Sequence, residues 1–165
     1  MAFLKDTEYL RRKATNFIVV HCSATKPSQD IGVKHIREWH IKERKWADIG
    51  YHYVIRRNGA IEMGRPTWAT GAHVENHNWQ SVGICLVGGV NEAGDPENNF
   101  TAEQMMALKH ALRLLKRDSY RRAQVCGHHD FEGVQKACPC FDVKVWWAPL
   151  DKQVQKEIDS ARVSG

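Results

Sequence analysis

Long apolar runs are missing from these 165 residues, none of which approaches the ~18 consecutive apolar positions a membrane span needs. No apolar stretch follows the charges near the N-terminus, as an export signal would require. The expectation is a protein made soluble, with no membrane insertion and no export signal of its own. Cysteine is sparse and irregularly spaced: five residues, an odd number, do not make the disulfide framework of a small secreted domain. A reducing compartment is expected instead. Internal repeats, low-complexity tracts and linkers are also missing. So is any recognised nucleic-acid-binding motif, because the basic residues are scattered apart from Arg11-Arg12-Lys13 and Arg121-Arg122. Nucleic acid is therefore not expected as a partner.

What is present fits one domain. A chain of this length buries roughly 70% of the surface it exposes when unfolded, enough for a core without disulfide staples. A monomer is the working expectation. The net charge of +5 and pI near 9.0 favour acidic partners, among them nucleic acid, anionic cell-wall polymer and acidic protein surfaces. Charge alone does not choose among these.

The pattern along the chain predicts an α/β fold, a single domain with a central mixed sheet of about five strands flanked by helices. Residues 1–14 read as a charged arm, residues 15–150 as the domain and residues 151–165 as a loosely attached helical tail. Phe17-Ile18-Val19-Val20 is a buried strand, and 32–44 carry Val33, Ile36 and His40 at helical spacing. Alternation through Tyr51, Tyr53 and Ile55 predicts a strand that turns at Asn58-Gly59 and returns to Gly64. Val82 to Gly88 is a continuous apolar run, suited to a central strand. Thr101 with Gln104 three residues on forms a capping box, and Met105, Leu108, Leu112 and Leu115 make one stripe of the helix it starts. Asp142 is placed to cap a short helix bearing Trp146 and Trp147.

Three residues stand at abrupt points in this pattern. His21 ends the first apolar run, His128 follows the strand closing at Gly127, and Cys138 arrives ten residues later (138 − 128) in Lys136-Ala137-Cys138-Pro139-Cys140. Two imidazoles and a thiolate at strand ends are a candidate three-ligand zinc (Zn2+) site, with the fourth position open as in catalytic zinc.

Gly127-His128-His129-Asp130 followed by Lys136-Ala137-Cys138-Pro139 resembles the C-terminal signature of zinc-dependent N-acetylmuramoyl-L-alanine amidases. Val20-His21-Cys22-Ser23-Ala24-Thr25-Lys26-Pro27-Ser28-Gln29 is similar to one branch, the amidase-type lysozymes (endolysins) of short-tailed phages. The likeness continues through Gly50 to Tyr53, Asn78 to Gly83 and Cys85 to Gly89, and covers residues 16 to 147. The family also includes peptidoglycan recognition proteins, some of which bind wall without cleaving it.

The resemblance implies zinc held by His21, His128 and Cys138, with Tyr51 and Lys136 completing catalysis. It implies hydrolysis of the amide between the N-acetylmuramoyl lactyl group and L-alanine in peptidoglycan. The implied setting is phage-induced lysis, from a host cytoplasm that the protein leaves through a separate membrane-opening factor. It further implies a second role, in which the protein restrains the phage RNA polymerase, and residues 1–14 are the segment expected to dock. His73 and Asn78 match a substrate-groove segment, and are otherwise ordinary loop residues. Taken alone, Tyr51 also reads as a core tyrosine and Lys136 as a solvated loop lysine. His52 is expected on the face opposite Tyr51, His129 away from the metal, and Asp130 as a turn-fixing acceptor.

Two departures from the family pattern stand out near the ligands. Cys140 replaces an expected Ser, which puts a second thiol beside Cys138, and the loop from His128 is two residues longer than in the phage branch. Asn76 stands where the family commonly has Gly. Three other readings compete. A zinc deaminase fails because Val143 occupies the place of its second cysteine. A cysteine peptidase using Cys22 or Cys138 would be blocked by alkylation and indifferent to chelators. A non-catalytic wall-binding module is disfavoured by the presence of Cys138, Tyr51 and Lys136 together.

Overall fold

The computed structural model describes residues 8–165. Its elements run β1 (Phe17–Cys22), α1 (Val33–Lys42), β2 (Tyr53–Ile55), β3 (Ile61–Met63), β4 (Ser81–Leu86), α2 (Ala102–Asp118), β5 (Gln124–Gly127) and α3 (Val143–Ser164). They form one five-stranded sheet ordered β3-β2-β4-β1-β5, parallel except for the antiparallel β2–β3 hairpin. The single-domain α/β fold with a mixed sheet is the one expected.

Alternation along the strands divides the core. Ile18 and Val20 of β1, with Ile84 and Leu86 of β4, face α2 and α3, where Leu108, Leu112, Trp147, Val154 and Ile158 complete the larger cluster. The intervening Val19 and His21 point to the other side, where α1 packs Val33 and Ile36 against Val54, Cys85 and Val87. His52 follows the same logic. It is fully buried, its Nδ1 accepting from Gly83 N (3.0 Å) and its Nε2 donating to the carbonyl of Ala69 (2.7 Å).

The local signals act as the sequence predicts. Thr101 Oγ1 accepts from Gln104 N (3.1 Å) while Gln104 Oε1 accepts from Thr101 N (3.0 Å), which closes the capping box of α2. Gly59 takes φ +87° in the β2–β3 turn, a conformation open to glycine at little cost. Asp142 Oδ1 caps α3 through Val145 N (3.0 Å).

Two expected boundaries are corrected. The segment 151–165 is no loose tail but the continuation of α3, whose Val154 and Ile158 are buried in the main core. Its apolar residues recur at i, i+4, so helix and core extend together. Nor are residues 8–14 a separate arm. Tyr9 is buried and bonded through its hydroxyl to Asp48, Arg11 bridges to Ala69, and Arg12 N donates to the carbonyl of Trp68 (2.9 Å). The rest of the expected arm, residues 1–7, lies outside the described residues.

Candidate metal centre and active site

Because β1, β2, β4 and β5 are parallel, their C-terminal ends share one rim of the sheet, where loops converge and ligands collect in α/β folds. His21 lies near the end of β1 and His128 directly after β5, the strand paired beside it. The loop that follows is tied back to the same rim. His129 N donates to the carbonyl of Cys138 (3.0 Å), Cys140 N to that of Ala137, and Cys22 N to Cys138 Sγ (3.2 Å). Asp130 Oδ2 accepts from Gly127 N (2.8 Å), fixing the turn that carries His128, as expected.

One ligand atom from each of His21, His128 and Cys138 falls within 4.8 Å of the others, the one such triad among the described residues. His21 Nδ1 stands 3.9 Å from Cys138 Sγ. A nitrogen and a sulfur bound to one tetrahedral zinc would be about 3.6 Å apart, so the spacing fits the ion with little adjustment. The donor set fits as well, since neutral imidazole and thiolate suit zinc. Cys140 is turned aside, its Sγ donating to the carbonyl of Gly89 (3.2 Å).

Burial sets the state of the imidazoles. Burial above all, then the charges of His73, His128 and Lys136, hold the His21 pKa well below its ordinary value. His128 is pushed down to about 4 by burial, then by Lys136 and His129. Both rings are therefore neutral at pH 7, with a lone pair for a cation.

His73 lines the cleft, as a groove residue would, and is also tied to His21. Its Nδ1 is 2.9 Å from His21 Nε2, its Nε2 is 3.3 Å from Ser81 Oγ, and Ser81 Oγ donates to the carbonyl of His77 (2.8 Å). With His21 Nδ1 directed at the ligand cluster, one proton arrangement satisfies the series: His21 Nε2–H to His73, His73 Nε2–H to Ser81, Ser81 to His77 O. His73 thereby fixes the tautomer of His21, a familiar support for metal-binding histidine. Asn78, which also lines the cleft, commits its Oδ1 to the backbone N–H groups of His73 and Val74 (2.8 and 2.9 Å). Sequence reading missed Ser81, because the contact joins positions on different elements that no local pattern connects. Asn76 adopts φ +67°, the left-handed region where glycine is commonest and asparagine tolerated, so the departure from Gly preserves the turn.

The triad forms part of the lining of a cleft of about 540 Å³ walled by Tyr51, Trp39, Arg44, Trp46 and Lys136. A second cleft of about 690 Å³ shares Arg44, Trp46, His128 and Lys136 with it and runs on past Glu75 and Glu132. The Tyr51 ring lies 5.1 Å from that of His21, and burial, then the neighbouring thiols, raise its pKa well above the ordinary value. Its hydroxyl stays protonated. Lys136 is exposed on the facing wall.

The family model for N-acetylmuramoyl-L-alanine amidase matches residues 11–141. The chain belongs to this amidase family. An endolysin of Klebsiella phage KP32 is 51% identical over 144 residues, covering 87% of this chain and 93% of that one. The endolysin of Escherichia phage T7 is 47% identical, covering 85% and 90%. Among solved structures, the amidase LysC from Clostridium intestinale superposes with a TM-score of 0.71 at 27% identity, covering 96% and 95% of the two chains. A peptidoglycan recognition protein, PGRP-LE in complex with tracheal cytotoxin, shares the fold at a TM-score of 0.69 and 21% identity. The amidase is thus a hydrolase acting on peptidoglycan, and none of its described helices is long and apolar enough to cross a membrane.

Proposed function

We propose that this amidase cleaves the bond between the N-acetylmuramoyl lactyl carbonyl and L-alanine with a zinc ion held by His21, His128 and Cys138, in the service of phage lysis of a host cell. The observation that carries the reading is the convergence of those three ligand atoms on the floor of an open cleft. When bound, zinc supplies Lewis acidity and activates water near neutral pH.

The surrounding residues have separable tasks. His21 and His128 stay neutral and aimed, His21 through the His73–Ser81 series. Cys138 keeps its sulfur in register through the Cys22 N–H. Tyr51, protonated and buried at its base, is a donor that orients the attacking water and the tetrahedral intermediate. Lys136 presents a compact cation to the oxyanion developing on the lactyl carbonyl. The leaving group is the α-amine of L-alanine, which takes the proton that the attacking water gives up as the C–N bond breaks.

Loss of activity on chelation, recovery with zinc, and digests containing stem peptides with a new L-alanine amine and intact glycan test this reading. New reducing sugar ends, or activity indifferent to chelators and abolished by thiol alkylation, would overturn it.

The endolysin relatives support a setting in which the protein is held in the host cytoplasm and reaches the wall once a separate factor opens the membrane. The polymerase-restraining role belongs to the same reading. Of the arm assigned to it, residues 8–14 are built into the body, so deletion of residues 1–7 followed by polymerase pull-down is its test. Equal recovery by both proteins would count against that segment.

A further inference from the structure

Arg12 is 9% exposed, yet none of its partners among the described residues carries a negative charge. Its Nε donates to Thr15 Oγ1 (2.9 Å), its Nη1 to the carbonyls of Thr67 (2.6 Å) and Ala69 (2.9 Å), and its Nη2 to Tyr120 Oη (3.1 Å). A guanidinium has five hydrogens, so one on Nη2 has no acceptor among these. Taking a cation out of water is costly unless an anion compensates it.

Four more cations gather around this one. Arg11, Lys13, Arg121 and Arg122 join Arg12 in lining a cleft of about 510 Å³ whose other walls include Trp68 and Tyr120, with no carboxylate among the described residues of the lining. No ion pair among the described residues involves any of the five. Arg11 also lies over the Trp68 ring at 5.0 Å, which holds one wall in place. The segments that build the cleft precede β1 and β5, which run parallel. It therefore opens at the N-terminal rim of the sheet, opposite the amidase site.

We propose that this cleft binds a multiply charged phosphate group, either a free polyphosphate or the phosphate esters of a lipid surface. Several guanidinium forks match the geometry of phosphate oxygens, and five cations with no ion pair among the described residues exceed what a single carboxylate would balance. Because the two sites occupy opposite rims, an occupied phosphate site leaves the catalytic cleft open.

The test uses the full-length, zinc-loaded protein. Tripolyphosphate should bind saturably, with amide NMR shifts confined to residues 11–15, 68 and 119–122. Replacing the half-buried Arg121 and the exposed Arg122, Arg121→Gln with Arg122→Gln, should weaken binding about tenfold, and added salt should weaken it further. Unfolding temperature and wall hydrolysis should not change. Co-sedimentation with phosphatidylglycerol vesicles, but not phosphatidylcholine vesicles, that the double substitution abolishes would assign the lipid source; tripolyphosphate binding without it would assign the free one. The proposal is overturned by the absence of saturable tripolyphosphate binding, by equal affinity in the double variant, or by shifts clustered at the amidase cleft.

Discussion

Tyr51 and Lys136 face the cleft without belonging to the ligand triad, so substitutions there and at the triad should fail in different ways. Tyr51→Phe and Lys136→Ala are expected to keep full zinc occupancy while hydrolysis falls by about 100-fold or more. His21→Ala, His128→Ala and Cys138→Ala should lose the metal itself. Metal analysis beside mass spectrometry of wall digests separates the two classes. Cys140→Ser should retain zinc and most activity, since that thiol is bonded to the Gly89 carbonyl. His73→Ala should weaken zinc binding by roughly 10- to 100-fold, and Ser81→Ala by less, read by competition with a chelating dye. At this scale the sequence exposed the triad well, because His21, His128 and Cys138 each sit where a strand or turn ends abruptly. It hid the partnership of His21 with His73. Those residues are 52 apart and meet only after the sheet has formed.

Helix α3 shows where a local signal misleads. Pro149 stands inside α3, where proline ordinarily breaks a helix, yet the helix passes through it. Proline removes the hydrogen bond to the carbonyl four residues earlier, that of Val145, which lies on a face where its side chain is 70% exposed. Water can take up that carbonyl, which lessens the usual penalty. Continuing the helix brings Val154 and Ile158 into the core. Ile158→Ala should therefore cost about 2–4 kcal/mol of stability, measurable in urea unfolding, where a loose tail would show nothing. The elements with strong start signals, such as α2 with its Thr101–Gln104 box, were legible almost to the residue. Thr101→Ala should cost about 1 kcal/mol.

Across the whole molecule, buried neutral histidines make stability depend on acid. Burial pushes His52 down to about 3 and His40 down to about 4, whereas in the unfolded chain both titrate near 6.5. The unfolded state then binds more protons throughout that interval, so their contribution is complete above pH 6.5 and is lost as pH falls toward 3. Each group contributes up to about 1.4 kcal/mol per pH unit. Metal-free protein should show a urea midpoint that drops steadily below pH 6.5, and His52→Gln should flatten that slope. An unchanged slope would mean that His52 is protonated in the native state.

The pairing of β5 beside β1 has a consequence for synthesis. His21 emerges from the ribosome early, but Cys138 follows 117 residues later, and the neighbouring strand that presents His128 is the last of the five. Until β5 docks, β1 is an open edge and His21 stands without the other two proposed zinc ligands. In the proposed reading, a chain translated only as far as β4 is inert toward the wall, and hydrolytic competence requires β5 and the Cys138 loop to have docked on β1.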